Sequence, residues 1–349
     1  MITIEVIADG EKDFLEQIQD KIGGIIVNSW NENTLTIDNE NATGSLRFIP
    51  FDWGVSVLDF DIMLHKEFVF KIKAVPKYNP IRFLYASVGS FKHRSGDDEN
   101  EKNVEQFQSL VSTNKTDGYD YLYLNKNEKL HLNLIQIIRK HFLQKKTTNV
   151  SSLNKKLYEI FVDTNHENRF TNFGTFNLKM ADLIIKLKKV KGKGMLRILK
   201  IESIIYEILS LHIQQHNLIL AGDSLYTSLV KSELKVIRKL SASILKSPEK
   251  EYSLEELSLQ SGLTQSKLQG GFKFLYNRTV TEYIRHVRLE SARDLIRTTD
   301  LNISQIVYTI GFSSRSYFSK VFREKYDITP NQFKKKLQLF YKNKKTSKA

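Results

Sequence analysis

The sequence has no cysteine among its 349 residues, and only five prolines and two tryptophans. Without cysteine there is no disulfide framework, no thiolate metal ligand and no cysteine nucleophile, which fits a reducing cytosol. No uninterrupted apolar run approaches the roughly 18 residues needed to span a bilayer, so no membrane segment is expected. The start, Met1-Ile-Thr-Ile-Glu-Val, lacks the basic stretch, apolar core and small-residue cleavage site of an export signal. A glycine-rich phosphate loop, a nucleophile elbow and a kinase signature are missing as well. His212 and His216 have the i, i+4 spacing of one helix face, but no glutamate follows His212 as the metalloprotease pattern requires. His65, His93 and His131 assemble no cupin-like set of histidine and carboxylate ligands. The expectation is therefore no metal, no cofactor and no catalysis.

What the sequence does have is positive charge, placed unevenly. Of the 53 Lys+Arg and 39 Asp+Glu residues, positions 235–349 hold 23 and 10, so +13 of the net +14 lies in the final third. A segment that neutralises phosphates and releases their counterions needs that excess. At roughly 100 to 200 residues per domain, the length implies two or three domains.

The basic third repeats itself. One unit runs from Tyr252 through Gly262 to Phe272, the other from Leu301 through Gly311 to Phe322. In each, a polar cap precedes a short apolar-faced helix: Ser253 before Leu254 and Leu257, Asn302 before Ile303, Ile306 and Val307. Each first helix ends at a glycine that takes a positive φ cheaply. A hydroxyl, Thr264 or Ser313/Ser314, then opens a second helix, in which Leu268 and Phe272, or Phe318 and Phe322, sit four apart on one buried face. That is a helix-turn-helix, twice. Between them, Thr281 to Arg297 has helical spacing over about 25 Å, long enough to hold two reading helices near the roughly 34 Å repeat of adjacent major grooves. Beyond the second unit, Thr329-Pro330 opens a further helix carrying Lys334-Lys-Lys336.

From about residue 235 to 340 the sequence resembles the AraC/XylS family of bacterial transcription regulators, most specifically in Gly311-Phe-Ser-Ser-Arg-Ser-Tyr-Phe-Ser-Lys-Val-Phe322 followed by Thr329-Pro330. The resemblance implies a seven-helix DNA-binding domain that acts on promoters with RNA polymerase, usually as an activator. Carried over by position, it implies base-facing residues at Ser266, Gln269 and Gly270 in the first reading helix, and at Arg315, Ser316, Tyr317 and Lys320 in the second. Arginine reads guanine bidentately and glutamine reads adenine, which makes Arg315 the leading candidate. Lys267, Lys273, Arg323, Lys334 and Lys335 suit phosphate, as does Lys320 in place of a base. Gly270-Gly271 departs from the pattern, because glycine weakens a helix interior and offers no side chain to a base. Either the first unit reads weakly, or bare backbone approaches DNA more closely, as in the siderophore-responsive members that the pair resembles.

Residues 1–135 read as strands, at Gly44–Pro50, Val55–Ile62, Phe68–Lys73, Ile81–Val88 and Tyr119–Leu124, with Gly89 to Glu101 as a polar loop. Past Lys129 the period turns helical, at Leu132–Phe142, Leu153–Phe161, Leu178–Leu187 and Leu196–His216. The fold class is α+β: a β-rich barrel or sandwich with a helical layer, then an all-α domain of two helix-turn-helix units joined by a long helix. The expected parts are a sensing region at 1–135, a helical region suited to dimerisation at 136–225, a hinge within 221–240 and a DNA-binding domain at 232–342. Ile198, Ile201, Ile204, Ile205, Ile208 and Leu211 form either core or a dimer surface. The lysine-rich turn from Lys186 to Gly194 is a solvated loop or a second phosphate contact. Promoter DNA, a small-molecule effector and a second copy of the chain are the expected partners.

Overall fold

The computed structural model describes residues 2–7, 14–76, 78–96, 98–144, 149–221, 229–276 and 278–346. The chain forms two compact units, Met1–Leu225 and Tyr226–Ala349.

In the first unit, one sheet has five strands in the order β1 (Ile2–Ile7), β6 (Phe68–Lys73), β11 (Tyr119–Leu124), β8 (Phe91–Ser95) and β9 (Lys102–Val104). The other has eight, in the order β13 (Phe170–Phe173), β10 (Ser109–Thr113), β7 (Ile81–Val88), β12 (Lys129–Ile137), β5 (Val55–Leu64), β4 (Ala42–Phe51), β3 (Glu32–Asp38) and β2 (Ile25–Ser29). All pairings are antiparallel except β1 with β6. The sheets pack as a sandwich over one core, where Phe60 of β5 meets Phe70 of β6 edge to face at 5.9 Å. Helix α1 (Phe14–Ile22) buries Leu15, Ile18 and Ile22 against that core. Toward one end the interior turns polar. Arg82 Nη1 of β7 meets Asp120 Oδ2 of β11 at 3.3 Å, and His93 Nε2 of β8 lies 3.2 Å from Asp120 Oδ1. Burial pushes the Asp120 carboxyl up, but the hydrogen bond from His93 and the charge of Arg82 outweigh it and hold it below the usual carboxylate range.

Among the described residues, four further helices accompany the sandwich: α2 (Arg139–Gln144), α3 (Lys155–Val162), α4 (Leu178–Lys188) and α5 (Gly194–Ala221). The aliphatic series of α5 is core, since Ile201, Ile204, Ile205 and Ile208 are buried within this unit. Four sequence expectations fail here. Leu132–Phe142 is not one helix: Lys129–Ile137 is strand β12, between β5 and β7, and α2 starts only at Arg139. A central strand buried on both faces shows no alternation, so its apolar run passes for a helix. Likewise the polar stretch from Gly89 contains β8, whose inward residues Phe91, His93 and Ser95 alternate with Lys92 and Arg94. Two of those inward residues are polar, which hides the period. Strand β13 lies inside the segment read as helical, and α1 inside the segment read as strands.

The second unit is helical: α6 (Lys231–Lys246), α7 (Leu254–Ser261), α8 (Gln265–Tyr276), α9 (Val280–Thr298), α10 (Ile303–Thr309), α11 (Arg315–Tyr326) and α12 (Pro330–Thr346). Of the expected hinge at 221–240, residues 222–228 lie outside those described, and from Lys231 the chain is helix α6, with Leu234, Ile237 and Leu240 buried. No helix among the described residues is long and apolar enough to cross a membrane.

Candidate nucleic-acid interface

Helices α8 and α11 are each held by an apolar face and presented by a capped turn. Ser253 Oγ accepts from Glu256 N at 3.0 Å while Glu256 Oε2 accepts from Ser253 N, a capping box that starts α7. The turn runs through Gly262 at φ 68°, and Thr264 Oγ1 then accepts from Lys267 N at the start of α8. Leu268 and Phe272 are fully buried, each burial contributing about 2 kcal/mol. The second unit repeats the construction. Asn302 and Gln305 form the box, Gly311 stands at φ 78°, and Ser314 Oγ accepts from Tyr317 N at 3.3 Å to cap α11. Phe318 and Phe322 are fully buried.

The face of α11 opposite those phenylalanines is open: Arg315, Ser316, Tyr317, Lys320 and Arg323 are all exposed. Arg315 Nη1 reaches Ser304 Oγ at 3.2 Å, across the first turn of α10. Tyr317 OH accepts from Arg285 Nη1 of α9 at 3.3 Å. On α8, Ser266, Gly270 and Lys273 are exposed. Others are tied into the domain. Gln269 is half-buried, and its Oε1 accepts from Val280 N at 3.1 Å in the first turn of α9. Lys267 Nζ sits 2.5 Å from Glu233 Oε1 of α6, and this lysine, with the backbone N–H of Val230, holds the Glu233 carboxyl below its usual range. Lys334 Nζ donates to the carbonyls of Asp300 and Leu301, while Lys335 is exposed on α12.

The paired glycines separate. A Cβ on Gly270 would meet nothing within 4 Å, whereas one on Gly271 would lie 2.0 Å from Ile237 Cδ1. Gly271 therefore serves the close packing of α8 on α6.

Sequence reasoning missed the residues that fix the two helix-turn-helix motifs to each other. Arg288 of α9 donates from Nε to Pro248 O at 2.8 Å and from Nη2 to Lys250 O at 2.7 Å, and its guanidinium lies 5.9 Å from the Phe312 ring centroid. It thus joins the turn before the first helix-turn-helix motif to the second motif. Gly311 completes the joint, because a Cβ there would lie 2.5 Å from Glu249 O. Arg285, set beside Tyr317, was missed for the same reason: it belongs to the connecting helix, and only the fold brings it to the reading face. A cleft between α9 and α11, lined by Arg278, Glu282, Arg285, His286, Glu324 and Lys325, continues this mixed-charge surface.

A helix-turn-helix domain model matches residues 257–336. Regulatory protein SoxS of Escherichia coli K12 is 32% identical over 106 residues, a stretch covering 30% of this chain and 99% of that protein. The chain belongs to the AraC/XylS family. Its second unit is an AraC-type helix-turn-helix DNA-binding domain, the domain of a transcription regulator. HTH-type transcriptional regulator AlkR of Acinetobacter baylyi is 32% identical over 93 residues, covering 27% of this chain and 30% of AlkR. Histidine kinase P4 of Formosa agariphila matches at 33% over 110 residues, 32% of this chain and 8% of that protein. The likeness to these two longer relatives thus spans less than a third of their length. Among solved structures, an apo ToxT variant from Vibrio cholerae aligns over 80% of this chain and 97% of its own at 14% identity, with a TM-score of 0.32, too low to carry weight.

Proposed function

We propose that this family member is a sequence-specific activator that inserts α8 and α11 into consecutive major grooves of promoter DNA, acts with RNA polymerase in the cytoplasm, and is modulated through its first unit. The observation that carries this reading is the pair of equivalent capped helices on one compact unit. Both present polar faces, and the strongest presentation is the open row Arg315, Ser316, Tyr317 and Lys320. In this reading residues 232–342 bind DNA, 1–135 sense an effector and 136–225 support dimerisation.

The two helices contribute unequally. α11 offers the base-reading set, with Arg315 reaching guanine through two N–H groups. α8 offers Ser266 and the bare Gly270, with Gln269 half-committed to capping α9. Lys273, Arg323 and Lys335 suit phosphates directly, whereas Lys267 and Lys334 must first leave Glu233 and the 300–301 carbonyls. A domain charge near +13 then steers the whole to DNA.

The test is selection of genomic fragments by the full-length protein at physiological salt, in competition with random duplex, beside the Arg315→Ala variant. Recovery of a recurrent site with two contact blocks one turn apart is expected. Arg315→Ala should weaken that site about 5- to 150-fold, as loss of about 1–3 kcal/mol of base discrimination implies, with its melting temperature unchanged. Equal recovery of all duplexes by the native protein would refute the reading.

A further inference from the structure

Among the described residues, the eight-stranded sheet ends at β2, which pairs with β3 alone. Ile25, Val27, Asn28 and Ser29 are exposed along it. Natural edge strands are usually blunted by a charged residue, a proline or a bulge. β9 carries exposed Lys102, and β1 carries Glu5 in an ion pair with Lys71 at 3.5 Å. β2, Ile25-Ile-Val-Asn-Ser29, has neither charge nor proline, and its pairing with β3 runs without a register shift.

The exposed apolar surface does not stop at the strand. Alternation places Ile25 and Val27 on the same face as Glu32 of β3, and Glu32 Oε1 accepts from Arg197 Nε of α5 at 2.6 Å. A Cβ on Gly194, where α5 begins, would lie 3.7 Å from Trp30 Cζ3. Ile25, Val27 and Trp30 on this hairpin, and Met195, Leu196 and Leu199 in the first turns of α5, are each exposed by 52% to 74%. Together they expose on the order of 600 Å² of apolar surface.

Backbone geometry says how they would face. Trp30 and Asn31 have φ 53° and 65°, a two-residue hairpin turn in which the closing pair Ser29–Glu32 is hydrogen-bonded. Val27 then bonds Thr34, and the N–H and C=O groups of Ile26 and Asn28 point out from the sheet. A twofold axis at Val27 brings Ile26 of one copy against Asn28 of the other on both sides of the axis, satisfying those groups. The same operation sets exposed Lys191 and Lys193, at the Trp30 end of one copy, toward exposed Asp38, at the Ile25 end of the other.

We propose that β2 is the pairing edge of a homodimer, in which two copies join β2 to β2 antiparallel about Val27 and the first turns of α5 close over the joint. The pairing belongs to the first unit and stands or falls separately from the DNA reading.

Light scattering on the full chain tests it. A dimer is expected at tens of micromolar, with Val27→Lys raising its dissociation constant at least tenfold while the melting temperature holds. The chain has no cysteine, so Val27→Cys carries a single thiol. At the roughly 4.5 Å Cα separation of a non-hydrogen-bonded antiparallel pair, mild oxidation should give a covalent dimer. Leu259→Cys, exposed on α7 of the other unit, should give none. A monomer at every concentration, or a dimer that survives Val27→Lys and fails to cross-link through Val27→Cys, overturns the proposal.

Discussion

A methyl group added to Gly271 would press on Ile237 at 2.0 Å and Leu229 at 2.9 Å, while the same group on its neighbour Gly270 would meet open space. Gly271→Ala should therefore destabilise the second unit by about 1–3 kcal/mol, as overpacking does. Gly270→Ala should stabilise it by up to about 1 kcal/mol, since alanine favours the helix. Thermal melting of the two variants checks both signs, and equal shifts would contradict the packing. Sequence marks both glycines as departures but cannot part them, because Ile237 lies on another helix. Lys267, Gln269 and Lys334 teach the same lesson. Their residue types suit DNA, yet each has a partner within the domain that no local pattern discloses.

Connections between helices decide how the reading helices are held. Gly311 needs both its left-handed φ of 78° and the space beside Glu249 O, so Gly311→Ala should cost about 1–3 kcal/mol or more. Denaturant unfolding should show a lower midpoint with an unchanged slope, and an unshifted midpoint would mean that the joint with Arg288 does not constrain the turn. The helix-turn-helix elements were legible because cap, glycine and apolar period all fall within about twenty residues. The sandwich is only partly legible: β4, β5, β6, β7 and β11 show as strands in the sequence, whereas most of β12 has the pattern of a helix, β8 that of a loop, and β13 gives no signal. Those three are defined by partners distant in sequence: β12 by burial between β5 and β7, β8 by Asp120 across the pair, β13 by β10.

For the molecule as a whole, acid should act first on the sandwich unit. His212 and His216 are fully buried beside Phe83, Tyr85 and Ser109. Burial pushes His216 down to about 4 and His212 well below its ordinary value. An unfolded chain takes up these protons near pH 6.5. Between pH 6.5 and about 4 the unfolded state therefore binds more protons, and stability falls as pH falls, by on the order of 3 kcal/mol for His216 across the window. Asp59 and Asp120, held below the carboxylate range, add their loss only below about pH 4. Melting followed from pH 7 to 4.5 should decline, and less steeply in His216→Gln; a flat profile would contradict the buried neutral pair. At the other end of the chain, the joint of Arg288 with the Gly311 turn makes the DNA-binding unit a gauge with fixed jaws. In the proposed two-groove binding, one base pair inserted between the two contact blocks would shift the far block by about 3.4 Å and rotate it by roughly 35°. Promoters read that way would tolerate drift of individual bases more readily than a change in the interval between blocks.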